Sequence, residues 1–109
     1  MVNKMVISTK KTGIYRIVNK VNKKVYVGSS INIRGRWAVH KSDLRRNKHH
    51  NYHLQKSWNK YGERNFSFMI IEECTKKKLD EREDYWMKRH KSHQGNKGYN
   101  LKLVKLKKR

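Results

Sequence analysis

The sequence predicts an α+β fold in a single domain: a small β-sheet with helices packed on it, in the order β-β-α-α-β-α. Three observations carry this reading. Two short runs rich in β-branched and aromatic residues, Thr12 to Val18 and Val25 to Ser29, flank the polar stretch Asn19-Lys20-Val21-Asn22-Lys23-Lys24 and read as a hairpin. Apolar residues recur at helical spacing in three later segments. Between the second and third of these, Phe66-Ser67-Phe68-Met69-Ile70-Ile71 is dense enough in apolar and aromatic residues to read as a central strand. A chain of 109 residues matches one domain with one core, and no internal repeat divides it.

Residues 1–11 read as a flexible basic N-terminus, with Lys4, Lys10 and Lys11 around a small apolar cluster. In the hairpin, side chains alternate, so Tyr15 and Ile17 share a face opposite Ile14 and Val18, while Tyr26 points away from Val25 and Val27. Antiparallel pairing then projects both tyrosines from one face. Gly13 and Gly28 sit beside these tyrosines and, lacking a Cβ, leave room for a ligand to approach the backbone. A helix is predicted from Asn32 to Arg46, capped by Ser29 or Ser30, with Ile33, Trp37 and Leu44 on its apolar side. Arg36 and His40 are four apart on it and share a face that Arg34 does not. After a polar loop at Asn47 to Asn51, a second helix from Tyr52 to Tyr61 carries Leu54, Trp58 and Tyr61 on one stripe and stops at Gly62.

A third helix, Lys76 to Lys91, places Leu79, Glu83, Trp86 and His90 along one stripe. A carboxylate on that inward stripe needs a cation, a metal or several donors. Gly95 and Gly98 then punctuate a loop ending in Tyr99-Asn100-Leu101. Residues 102–109 alternate Lys with Leu and Val, as a last strand or a basic arm.

The charge narrows the partner. With 29 Lys and Arg against 8 Asp and Glu, the formal charge is +21, an excess that repels itself in the folded state unless a polyanion offsets it. Nucleic acid is the leading partner. A membrane is not, because no Lys/Arg-rich helix with a broad apolar face occurs. Nor is there a transmembrane run or a signal-peptide core, so a cytoplasmic, nucleoid-associated location is expected. Cys74 is alone, which excludes an intrachain disulfide and a cysteine zinc cluster. The i,i+4 pair His49 and His53 lacks a clear third ligand and reads as surface histidines.

Taken together, Gly13-Ile14-Tyr15, Tyr26-Val27-Gly28-Ser29, Arg36-Trp37 with His40, Glu81-Arg82-Glu83 with Trp86, and Gly98-Tyr99-Asn100 resemble the GIY-YIG nuclease family, in particular the catalytic domain of phage-type homing endonucleases. The resemblance spans residues 12–101, and the departure at Val27, where isoleucine is usual, keeps a β-branched strand residue. It implies a small three-stranded mixed sheet flanked by helices, and a double-stranded-DNA endonuclease using one Mg²⁺ or Mn²⁺ ion and no organic cofactor, monomeric or dimerising on DNA. By this resemblance the catalytic residues are Tyr15, Tyr26, Arg36, His40, Glu83 and Asn100, with Glu83 holding the metal.

The chemistry fits those types. Phosphodiester hydrolysis needs an activated water, neutralisation of transition-state charge and help for the leaving oxygen. One carboxylate with phosphate oxygens and waters suffices for Mg²⁺. Arg36 offers a forked, permanent charge to the scissile phosphate. A free tyrosine is ionised roughly one part in a thousand at pH 7, so Tyr15, the expected base, needs surrounding cations to lower its pKa. Tyr26 is expected to position the water, an exchange of roles between the tyrosines staying open, and His40 to accept or pass the proton. Asn100 is expected to order the site through hydrogen bonds. Arg34, Lys41, Arg45, His49, Lys102 and Lys105 are the expected DNA contacts. Two other readings account for the charge: a non-catalytic nucleic-acid-binding module on the same fold, and a structural basic protein of a ribonucleoprotein. Neither needs an inward Glu83 beside paired tyrosines.

Overall fold

The structure, a computed structural model, describes residues 10–101; the expectations for residues 1–9 and for the tail, including Lys102 and Lys105, lie outside the described residues. Strands β1 (Gly13–Asn19) and β2 (Val25–Ser30) form the hairpin, antiparallel, with Tyr15 opposite Gly28 and Ile17 opposite Tyr26. Its turn is held by two side chains: the Asn19 Oδ1 accepts from the Val21 N–H and the Asn22 Oδ1 from the Lys24 N–H, each at 2.9 Å. Such local loops are what make Asn a turn residue. Helices α1 (Ile33–Arg45) and α2 (Tyr52–Tyr61) follow, then β3 (Phe66–Glu73) and α3 (Leu79–His90), the last entered through a 3₁₀ turn at Lys76–Lys78.

The cap of α1 is Asn32, whose Oδ1 accepts from the Gly35 N–H; Ser30 instead accepts from the Asn32 N–H, one step earlier than a cap would sit. Helix α2 has the predicted bounds, with Gly62 at φ 88° donating its N–H to the Trp58 carbonyl.

Two sheet expectations need correction. The strand order is β2-β1-β3 with β1 paired antiparallel to both neighbours, so the sheet is antiparallel, not mixed; the parallel pairing among the described residues is an isolated bridge, Val25 to Gly98. And β3 is an edge strand. Its apolar density reflects helices on both faces of the sheet: Phe66, Phe68 and Ile70 pack on one side, Ile71 on the other, while Met69 stays exposed. The centre falls to β1, which pairs with β2 along one edge and with β3 along the other, and its first residue is glycine. A Cβ on Gly13 would stand 2.0 Å from the Glu72 carbonyl oxygen, so only a bare backbone allows β3 this close. A register shift between Ile14 and Tyr15 follows at once.

The alternation of β1 feeds two cores. Tyr15 and Ile17 pack with Ile33, Leu44, Leu54, Trp58 and Tyr99 on the face covered by α1 and α2. On the opposite face Ile14 packs with Val25, Val27 and Met87, joined by Leu79 and Trp86 of α3. The tryptophans therefore serve packing, as their helical stripes predict. Glu72 pins α3 to the sheet by accepting from Trp86 Nε1 and Arg82 Nε, both at 2.8 Å.

Candidate active site

Both tyrosines project from the α1 face, but they are unequal. Tyr15 is sealed at 1% exposure, whereas Tyr26 is half-buried. The Tyr15 phenol lies over Gly28, where an added Cβ would stand 2.4 Å from its hydroxyl. The space beside the motif glycines is thus filled from within, by the Glu72 carbonyl at Gly13 and by the phenol at Gly28, and is not kept for a ligand.

A line of hydrogen bonds runs inward from Tyr15. Its hydroxyl meets His40 Nε2 at 2.6 Å, His40 Nδ1 meets His49 Nε2 at 2.7 Å, and His49 Nδ1 accepts from the Asn51 N–H at 3.0 Å. Burial, with the neighbouring histidine adding to it, lowers His40 to about 3 and His49 to about 4, so both rings are neutral near pH 7. The direction of the chain then follows from its inner end. A backbone N–H only donates, so the His49 proton sits on Nε2 and is given to His40 Nδ1, which places the His40 proton on Nε2, facing Tyr15. His40 is a donor to the phenol oxygen. Of the two roles expected of it, accepting or passing the proton, this order favours passing, because the nitrogen facing Tyr15 already carries a hydrogen.

His49 is likewise not a DNA-facing loop residue: it is buried, both ring nitrogens are taken, and it stacks on His40 and His50 at 4.9 and 4.4 Å. Its loop is anchored by the start of α2. The Asn51 side chain caps Leu54 and donates to the Tyr99 carbonyl, and Gln55 accepts from the His49 N–H. Nothing in the sequence pattern, where Asn47 to Asn51 reads as a polar loop, signals this burial.

Glu83 arrives from the other side. Although α3 packs on the opposite face, Ser29 at the end of β2 donates to Glu83 Oε1 at 2.6 Å. Desolvation raises the Glu83 carboxyl, against the Ser29 hydrogen bond and the Arg36 charge, and among the described residues it forms no ion pair. Arg36 is exposed, and its charge bears on Tyr15, Tyr26, His40 and Glu83 alike. Desolvation also raises Tyr15, followed by the neighbouring Tyr26, and raises Tyr26, followed by Glu83. The expectation that surrounding cations lower the Tyr15 pKa is therefore reversed in the free protein. Burial outweighs one guanidinium.

Asn100 completes β2 in place of a strand. Its Oδ1 accepts from the Val27 N–H at 2.8 Å and its Nδ2 donates to the Val27 carbonyl at 2.9 Å, while Tyr99 and Lys97 bond Val25. The segment thus grips the backbone on either side of Tyr26. Of the expected DNA contacts, Arg34 is exposed, Lys41 lies over the Phe68 ring at 4.9 Å, and Arg45 is forked onto Glu63, with Nε to Oε1 at 2.9 Å. Ser29, a cap candidate and the last residue of the Tyr26-Val27-Gly28-Ser29 motif, is a site residue for which no bond to Glu83 was expected.

These features have close parallels. Residues 11–100 match the GIY-YIG catalytic domain family model. The chain is 42% identical over 93 residues to intron-associated endonuclease 1 of Enterobacteria phage T4, an alignment covering 84% of this chain and 37% of that protein, so it spans little more than a third of the relative's length. Two solved structures of the catalytic domain of the homing endonuclease I-TevI, one a mutant, superpose with TM-scores of 0.79 and 0.77 at 38% and 40% identity. They cover 89% and 84% of this chain and 99% of each of those chains. Family model, relative and fold agree over the residues that build the site, and the chain belongs to the GIY-YIG endonuclease family.

Proposed function

We propose that the protein is a divalent-metal-dependent DNA endonuclease of the homing type, cutting phosphodiester bonds with one bound ion and a tyrosine as general base, and acting on duplex DNA in the cytoplasm. The observation that carries this is convergence: Tyr15 of β1, Tyr26 of β2 and Glu83 of α3, the last held by Ser29 of β2, all come close enough to the Arg36 guanidinium on α1 for its charge to bear on them.

Glu83 suits a metal. A desolvated carboxyl with one hydroxyl donor and no ion pair among the described residues is under-compensated, and a single carboxylate joined by phosphate oxygens and water matches the needs of Mg²⁺ or Mn²⁺. When bound, such an ion supplies charge neutralisation at the phosphate and a more acidic water. Arg36, exposed and free of ion pairs among the described residues, holds the phosphate. Tyr15, once ionised, accepts the water's proton, its phenolate steadied by the His40 Nε2–H and by Arg36, while Tyr26, the phenol with solvent access and with Glu83 as the charge that bears on it most, holds the water in line. Asn100 fixes the strand that presents Tyr26.

Supercoiled plasmid incubated with the protein and Mg²⁺ should be nicked or linearised, with no product in EDTA or with Glu83→Ala; cutting that survives both ends the proposal. A second reading, a binding module without catalysis, draws on the sealed, harder-to-ionise Tyr15. Tight, salt-steep binding to duplex DNA with no turnover in Mg²⁺ or Mn²⁺ at any pH up to 9 would establish it instead.

A further inference from the structure

One basic concavity lies outside the site just described. A groove of about 570 Å³ opens between the hairpin turn, α2 and the loop that leads to Asn100. Lys24, Lys56, Lys60 and His53 line it, with Tyr61 and Tyr99 among its walls and no Asp or Glu anywhere in its lining. The scarce acids of this chain are spent elsewhere: among the described residues they pair with Lys11, Arg45, Arg46, Lys78, Arg82 and Lys88, and with none of the three groove lysines. Three like charges facing one hollow repel one another, and an anionic occupant relieves that repulsion.

The walls are fixed rather than loose. At the back, the Tyr99 hydroxyl meets Ser57 Oγ at 2.6 Å and accepts from Asn19 Nδ2 at 3.1 Å. Gly98 presses on the Ser92 backbone so closely that a Cβ would stand 2.2 Å from it, while at the mouth Gly95 has nothing within 4 Å of its own Cβ position. The Lys60 ammonium lies over the Tyr61 ring at 5.3 Å. A hollow of this size is roomier than one phosphate needs and fits a short stretch of chain. Its back wall, residues 97–100, is the segment that bonds Val25 and Val27 on either side of Tyr26. Whatever the groove holds is therefore held at a fixed distance from the catalytic strand.

We propose that this groove binds the sugar-phosphate backbone of the DNA duplex away from the bond being cut, so that Lys24, Lys56 and Lys60 set the position of the substrate without touching the reacting phosphate. The proposal rests on the nuclease reading for its choice of DNA, but its test does not need cutting. Binding of a fluorescent duplex is measured in EDTA over a series of salt concentrations, for the wild type, for Lys24→Ala/Lys56→Ala/Lys60→Ala, and for the charge-matched triple Lys88→Ala/Arg89→Ala/Lys91→Ala at the end of α3. Far-UV circular dichroism melts confirm that both triples fold. Each phosphate contact contributes about 0.9 to the slope of log K against log salt, so the groove triple should lower the slope by about 2 to 3 and the α3 triple by much less. Equal losses in the two triples would show only an effect of net charge and overturn the proposal, as would a groove triple that weakens binding to an RNA hairpin while leaving duplex DNA untouched. A wild type that binds through the groove but never cuts would overturn the nuclease reading and leave the groove standing.

Discussion

The two faces of β1 are one residue apart in sequence and differ in kind. On the α3 side, Ile14, Val25, Val27 and Met87 make an apolar contact whose cohesion grows with the area removed from water. On the α1 and α2 side, the buried layer holds a phenol, two imidazoles, Asn19, Asn51, Gln55, Ser57 and Asn100, each paired by hydrogen bonds within the layer. A buried polar network specifies one geometry at the cost of tolerance, because losing any partner leaves another unsatisfied. The apolar face holds the domain together; the polar face places the catalytic groups. Glu83 breaks the division, as a charged residue delivered from the apolar side.

That exception gives the largest expected effect. Glu83→Gln should lower the cleavage rate by about a thousandfold or more, as removal of a charge-stabilising group does. It should also raise the melting temperature at pH 7. A carboxyl whose folded pKa is raised weakens the fold as pH climbs through it, and glutamine carries no charge to desolvate. Lost activity together with lost stability would place Glu83 in a structural ion pair and erase the distinction between the faces.

Tyr15→Phe should cost about a hundred- to ten-thousandfold in rate, the range of a lost general base, and should remove the pH dependence. With burial raising the phenol, wild-type cleavage should climb about tenfold per pH unit between 7 and 9 without a plateau, since the phenolate fraction rises in that proportion. If Tyr26→Phe rather than Tyr15→Phe flattens the profile, the roles are exchanged and the open phenol is the base. By contrast Met87→Ala, on the other face, should cost roughly 2–5 kcal/mol of stability, measured by denaturant unfolding, and leave the rate of the folded enzyme within a few-fold of the wild type.

Much of this was legible before any coordinates. Alternation in β1 and β2 put the tyrosines on one face, the apolar stripe gave α2 to the residue, and the inward position of Glu83 marked it as a charge in need of a partner. Failures have physical causes. Apolar density in Phe66 to Ile71 measures coverage by helices, which an edge strand has as fully as a central one here. Glycine beside a tyrosine reports a close approach, and nothing in the sequence says whether a ligand, a carbonyl or the molecule's own phenol makes it. His49 looked exposed because loops are usually wet; the bond from Asn51 that buries it depends on where α2 begins relative to the hairpin. Charge counts also misled at Tyr15, because a net +21 spread over a wet surface acts weakly on a group sealed beneath it.

The smallest effect separates the faces by acid. His40 and His49 are neutral in the folded protein down to about 3 and about 4, whereas in the unfolded chain they take up protons near 6.5. The unfolded state therefore binds more protons throughout that interval, and stability is full above pH 6.5 and declines as pH falls towards the folded values. At pH 5 His40 alone should cost about 2 kcal/mol relative to pH 7. The raised carboxyl of Glu83 opposes this slope, so in the Glu83→Gln background the decline should steepen; Glu63 and Glu72, held low by Arg45 and by Trp86 with Arg82, add their own loss only below about pH 4.5. Thermal midpoints at pH 7, 6 and 5 should fall in the wild type and fall about half as steeply in His40→Gln, where His49 alone of the two is left to titrate. An equal decline in both would mean that the Tyr15–His40–His49 line is open to water and that the donor order inferred for it does not hold.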